Sequence, residues 1–231
     1  MPNICIIPAR GGSKRIPQKN IKAFHGKPLI AYSIELALKS RLFTKVIVST
    51  DDEKIADIAK AYGAEVPFTR PQELADDFCT TYDVIAHALS WLQQEGYHYD
   101  YSCTLYATAP LLQEKYLVEG FEKLKNSDAK MAFAATSMPF PIQRTFKITD
   151  EGRCEMFFPQ YYHTRSQDLP QAYQDAGEFY WEDLHVERDA IAFSANSIPI
   201  VIPRYLVQDI DTLEDFKRAE MMYEIYSRTL S

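Results

Sequence analysis

NICIIPA (3–9), KVIVST (45–50), SCTLYAT (102–108) and KMAFAAT (130–136) each read as a strand, and the first is a continuous apolar run. Strands apolar at consecutive positions are buried on both faces, which is the condition of a parallel sheet covered by helices. The segments between them carry helical spacing. In PLIAYSIELALKS (28–40), Leu29, Tyr32 and Leu36 and the pair Ile30, Ile34 fall along one broad side, with Pro28 suited to the first turn. Further helices are expected around 52–62, over 80–94, where Val84, Ala88, Trp91 and Leu92 share a face, and over 114–124; EVPFTR (65–70) reads as another strand. Strands alternating with helices across short loops predict an α/β fold with a mostly parallel, Rossmann-like sheet and helices on both faces. A chain of 231 residues with 46% apolar content suits one such domain over 1–231.

The rhythm breaks between Met138 and Trp181. This stretch is irregular and strand-like, punctuated by Pro139, Pro141, Pro159 and Pro170, and rich in aromatics. It reads as an insertion, 138–181, in the α/β domain: a β-rich dimerisation arm whose aromatics need a partner surface, or else a hairpin extension with its own minor core. The alternation resumes with a short helix near 182–190, a strand at IPIVIP (198–203) and a helix from 212 to about 228.

The charge is distributed unevenly. The formal net charge is −7, yet Arg10, Lys14, Arg15, Lys19, Lys22 and Lys27 all precede Glu35, the first acidic residue. An acidic chain is a poor general binder of nucleic acid or membrane surface, since both need broad positive surface. A local basic patch fits a small anion. The patch lies on the glycine-rich turn after the first strand, at the sheet edge where open α/β folds bind ligands. Gly11 and Gly12 can adopt angles closed to other residues and leave backbone N–H groups for an anion. Lys14 and Lys19 supply point charges to phosphate oxygens, and Arg10 a bidentate fork. The spacing is neither that of a Walker A loop nor G-x-G-x-x-G.

Asp209-Ile210-Asp211 follows the strand IPIVIP. Alternate residues of extended backbone face one side, so both carboxylates converge while Ile210 points into the core. Two carboxylates beside a phosphate site suit Mg²⁺. Asp211-Thr212-Leu213-Glu214 also has capping-box spacing, so Asp211 is either a metal ligand, a helix cap or both. Cys5, Cys79, Cys103 and Cys154 lack metal-ligand or redox spacing and read as reduced, buried thiols of a cytoplasmic protein. No basic-then-apolar leader is evident at the N-terminus, and no run is long and apolar enough to span a bilayer.

The pattern I-P-A-R-G-G-S-K-x-x-x-x-K-N (7–20) resembles the nucleotide-binding signature of the CMP-nonulosonic acid synthetases, the acylneuraminate cytidylyltransferase family, whose fold is of the nucleotide-diphospho-sugar transferase type. STDD (49–52), RPQELADD (70–77) and DID (209–211) stand in that family's order, and the resemblance spans essentially the whole chain. It implies that Ala9, Arg10, Gly11, Gly12, Ser13, Lys14, Lys19 and Asn20 hold CTP, with Arg70 and Thr81 near the nucleotide. Arg10 and Lys19 then stabilise charge on the α-phosphate and leaving pyrophosphate, with Asp209 and Asp211 as metal ligands. Family members that activate sialic acid typically read L-Q-P-T-S-P-L after the central strand; here LYATAPL (105–111) puts Tyr106 in place of a glutamine that contacts the sugar. Ala176 stands where an asparagine is usual. LYATAP and HTRSQDLPQAYQDAGEFYW look like the branch that activates pseudaminic acid, which implies a sugar site from Tyr106, Thr108, Arg165, Gln167, Tyr173, Glu178 and Tyr180 and a homodimer. Alternatives are the same reaction on N-acetylneuraminic, legionaminic or Kdo acid, a sugar-nucleotide-dependent glycosyltransferase, or a non-catalytic CTP-binding regulator.

Overall fold

In a computed structural model, the structure describes residues 2–76, 78–186 and 192–229. Strands β1 (Asn3–Pro8), β4 (Lys45–Ser49), β5 (Tyr101–Leu105), β6 (Met131–Ser137), β9 (Tyr173–Asp183) and β10 (Ser197–Val201) form a six-stranded sheet in the order β10-β6-β9-β5-β1-β4. Strands β2 (Ala23–Phe24) and β3 (Lys27–Pro28) pair as a short ribbon, and β7 (Phe146–Ile148) and β8 (Cys154–Met156) as a hairpin. The helices are α1 (Leu29–Ser40), α2 (Glu53–Ala61), α3 (Thr81–Gln94), α4 (Glu114–Lys125) and α5 (Leu213–Thr229).

Alternate residues of β1 explain why helices cover both faces. Cys5 and Ile7 pack with Ile30 and Ile34 of α1 and Ile55 and Ala59 of α2, in a core that extends to Leu117 and Phe121 of α4. Ile4 and Ile6 point the other way, onto Ile85, Ala88 and Leu92 of α3. A third cluster joins Ile16, from the basic turn, to Phe24, Leu29, Ile210 and Phe216. Ile16 and Ile210 are both fully buried. Burying each contributes about 1.5–3 kcal/mol, so these two residues pin the turn to the segment that carries Asp209 and Asp211.

Four expectations need correction. The insertion ends earlier than 181. β9 lies inside the central sheet, antiparallel to both β5 and β6, so only about 138–172 stands apart as irregular chain, the β7–β8 hairpin and short 3-10 turns. The strand was hidden because Gln174, Asp175 and Glu178 interrupt its apolar alternation. The segment 65–70 makes only isolated bridges, at Glu65 and Thr69. The helix expected near 182–190 begins as the end of β9 and a turn, and its remainder lies outside the described residues. Of the four free thiols, Cys5 and Cys103 are buried, but Cys79 is partly exposed and Cys154 exposed on the hairpin.

Candidate active site

Parallel strands β1, β4 and β5 end at one edge of the sheet. The antiparallel β9 begins there, and Tyr106 N–H donates to the Glu178 carbonyl across the gap at 2.8 Å. The turn after β1 lies over this edge. A cavity there is lined by Arg10, Lys19, Asn20, Arg70, Thr81 and Tyr106, among others including Ala107 and Thr108. A second hollow, sharing Arg10, Lys19 and Asn20, is lined also by Ser13, Lys14, Arg15 and Asp211. Three residues of the turn therefore stand between a cation-rich hollow and a mixed cavity reaching β5. A nucleoside triphosphate has the matching asymmetry.

The turn is held by acids and amides behind it. Gly11 N–H donates to Asp51 Oδ1 at 3.0 Å, and Asn20 Nδ2 donates to the Arg10 carbonyl at 3.0 Å. Asp52 caps α2 by accepting from Ile55 N–H at 3.0 Å. The glycines serve differently from the sequence expectation, since neither has positive φ. A Cβ on Gly11 would meet the Asp52 side chain at 2.8 Å, whereas one on Gly12 would meet nothing within 4 Å. Gly11 allows the turn to approach α2 closely; Gly12 borders open space. Gly11→Ala is expected to lower stability by about 1–3 kcal/mol through this overpacking. Gly12→Ala should melt like the parent while slowing turnover, because its methyl would enter the open space beside the turn. Thermal melts and initial rates separate the two, and equal melting temperatures would contradict the account of Gly11.

Lys19 Nζ donates to the Ile210 carbonyl at 2.6 Å and lies 3.4 Å from Asp211 Oδ1. Arg15 pairs with the same oxygen at 2.9 Å. The expected cap at Asp211 is not what forms. Thr212 and Asp215 make the reciprocal capping pair: Asp215 N–H donates to Thr212 Oγ1 at 3.2 Å, and Thr212 N–H to Asp215 Oδ2 at 2.8 Å. The capping spacing was present one residue later, with Asp in place of Glu. Asp211 is left facing the basic turn. The Asp209 carboxyl is raised above the usual carboxylate range, first by desolvation and then by Asp211.

Arg70 is buried and donates through Nε to Ser49 Oγ at 3.1 Å and through Nη2 to the Ser49 carbonyl. It braces the end of β4 while lining the cavity, and desolvation lowers its pKa. Arg10 Nη1 donates to the Asp76 carbonyl at 2.6 Å, tying the turn to segment 70–80. Ala9 is buried beneath the turn.

The residues expected to bind sugar divide. Tyr106 and Thr108 line the cavity, and Thr81 Oγ1 lies 3.3 Å from Tyr106 Oη. Tyr180 packs beside Tyr106 with ring centroids 5.6 Å apart. Glu178 is buried behind them, with Oε2 lacking a hydrogen-bond partner and its pKa driven up by burial. Tyr173 is exposed where β9 begins. Arg165 and Gln167 are not brought to the cavity: Arg165 pairs with Asp168 at 2.6 Å, and Gln167 lines a hollow within 138–172. Sequence reasoning passed over Arg15, Asp51 and Ile16 as site-builders. Arg15 stood inside the basic run, and Asp51 inside STDD.

This fold and cation-lined edge define a nucleotidyltransferase type of site, and the family model described as cytidylyltransferase matches residues 4–225. The chain belongs to the cytidylyltransferase family. It is 48% identical over 227 residues, 97% of each chain, to a pseudaminic acid cytidylyltransferase of Campylobacter jejuni. It is 31% identical to an N-acylneuraminate cytidylyltransferase of Escherichia coli, over 94% of this chain and 51% of that one. Its fold is that of a CMP:2-keto-3-deoxy-manno-octonic acid synthetase solved with CTP, with a TM-score of 0.70, 15% identity and coverage of 98% of this chain and 100% of that one.

Proposed function

We propose that this protein joins CTP to pseudaminic acid, giving CMP-pseudaminic acid and pyrophosphate. The observation that carries the reading is the placement of Arg10, Lys19 and Asn20 between a cation-rich hollow and a cavity reaching Tyr106 and Thr108. The near full-length likeness to the Campylobacter jejuni relative supports the choice of sugar. The anomeric hydroxyl oxygen of the sugar attacks the α-phosphorus. The Pα–O bond to the β-phosphate breaks, pyrophosphate leaves with that electron pair, and the hydroxyl proton passes to solvent water. Arg10, Lys14 and Lys19 hold the phosphates and neutralise charge that builds on them, in keeping with catalysis by positioning and electrostatics. Pyrophosphate release on mixing protein, CTP and pseudaminic acid tests this. Release in the absence of the sugar acid, or none in its presence, contradicts it.

Asp209 and Asp211 would hold a magnesium ion. The donor set fits: two carboxylates at alternate positions, with the Asp209 pKa raised first by desolvation and then by Asp211, effects that a bound cation would offset. Among the described residues no cluster of three or more acidic, His or Cys side chains could hold a metal. The other ligands would thus be phosphate oxygens and water, as is usual for magnesium. When bound, the ion supplies further charge neutralisation and can lower the pKa of a hydroxyl. Asp211, shared with Arg15 and Lys19, would register the ion against the turn.

The reading extends to assembly and place. Phe140, Phe146, Ile148, Phe157 and Tyr162 are exposed on the 138–172 arm, Phe140 at 77% and Ile148 at 73%. Apolar side chains so open call for cover, and a second copy of the chain is the expected partner. Sedimentation should give a dimer at micromolar concentration, and a 26.6 kDa species would contradict it. No described helix is long and apolar enough to cross a membrane, and we place the reaction in the cytoplasm, where CTP is available.

A further inference from the structure

At the site edge, β9 contains an irregularity that the reaction chemistry alone does not explain. Its register against β6 passes from Phe133↔Tyr180 to Ala135↔Asp175, so residues 176–179 are matched by Ala134 alone. Gly177, within this bulge, has φ +63°, where glycine is favoured. Asp175 closes the bulge. Its Oδ1 accepts from Gly177 N–H at 2.9 Å, and its Oδ2 accepts from the Tyr180 phenol at 2.5 Å. Tyr180 lies between two rings, with Phe133 at 6.4 Å and nearly parallel, and Tyr106 at 5.6 Å and tilted by 55°. Tyr106 in turn reaches Thr81, the first residue of α3. Burial raises both phenols, so both remain protonated donors at neutral pH. A displacement of the Tyr180 phenol is therefore passed to the Tyr106 ring at the cavity wall.

We propose that Asp175 is the positioning residue of the sugar-binding end of the site, clamping the β9 bulge and the Tyr180 phenol together and so fixing the Tyr106 phenol that meets the sugar acid. This rests on the reading of Tyr106 as a sugar contact. A side chain outside the cavity thereby sets how well the enzyme accepts its acceptor substrate, with little influence on the nucleotide.

The test measures KM separately for CTP and pseudaminic acid, in D175A, D175N, Y180F, D175A/Y180F and Y106F, each first checked by its melting temperature. D175A and Y180F are each expected to raise the KM for the sugar acid by about tenfold, chiefly through the Asp175–Tyr180 hydrogen bond that both lose. The KM for CTP should stay within about twofold. The double variant should lose less than the two single effects combined, because the Asp175–Tyr180 contact is broken in both. D175N keeps one acceptor oxygen where the carboxylate uses two, and should recover part of the loss. Should D175A fold poorly, Y180F and D175N carry the comparison. The proposal is overturned if the sugar KM is unchanged in Y180F or D175A, if the KM for CTP rises in parallel, or if the two losses add. A sugar KM raised in Y106F but not in D175A overturns the role of Asp175 alone. An unchanged sugar KM in Y106F overturns the sugar-contact reading as well.

Discussion

Lys19→Ala should lower kcat/KM for cytidylyl transfer by about a hundredfold or more while the protein still folds. A charge-assisted contact that strengthens in the transition state is worth about 2–4 kcal/mol. Lys19 also holds the Ile210 carbonyl at 2.6 Å and sits 3.4 Å from Asp211. Its removal therefore takes a positive charge from the phosphates and loosens the segment that carries the two aspartates. Arg10→Ala should fall in the same range, because Arg10 both lines the cavity and ties it to Asp76. The fold should survive each change, since the turn is anchored independently by buried Ile16 and by the Gly11–Asp51 contact. Near-parental rates in either variant, with melting temperatures unchanged, would mean that the basic turn is only a solvated loop.

On the proposal that Asp209 holds magnesium, Asp209→Asn should abolish turnover at any magnesium concentration and leave stability at neutral pH undiminished. The sign follows from the direction of the shift. The folded protein raises the Asp209 pKa, so the ionised carboxylate is less welcome in the fold than in the unfolded chain. Stability from this group is present at low pH and is lost as pH rises through the folded-state value. The neutral amide avoids that loss, so the variant should melt no lower than the parent at pH 7, and any advantage should fade as pH falls below about 4, near the ordinary pKa of an aspartate. Asp211→Asn should likewise lose activity with little loss of stability, because Thr212 and Asp215 form the cap of α5. Full activity of Asp209→Asn, or of the parent protein in EDTA, would sink the magnesium assignment.

Legibility in the sequence followed the strength of the local physical signal. β1, β4 and β6 declared themselves because strands covered on both faces can be apolar at successive residues. α3 did so through its spacing and its Thr80–Asp83 capping box. β9 did not, because its partners are distant in sequence and its first half carries the polar residues of a bulge. The basic turn was legible as a phosphate site from charge alone, yet the reason for Gly11 was not: it depends on Asp52, forty-one residues away in the chain, arriving within 2.8 Å of an added Cβ. Asp211 and Thr212 both offered cap-like spacing, and only the assembled helix start distinguishes them. Arg165 and Gln167 were grouped with the sugar site by resemblance, but within one chain the arm carries them elsewhere.

Tyr106 in place of the family's glutamine is the sharpest sequence mark of the proposed pairing of CTP with pseudaminic acid. The most direct measurement is pyrophosphate release with CTP and a panel of pseudaminic, N-acetylneuraminic, legionaminic and Kdo acids under identical conditions. Pseudaminic acid is expected to give the highest kcat/KM, with N-acetylneuraminic acid a poor substrate. Equal or better turnover of N-acetylneuraminic acid would contradict it.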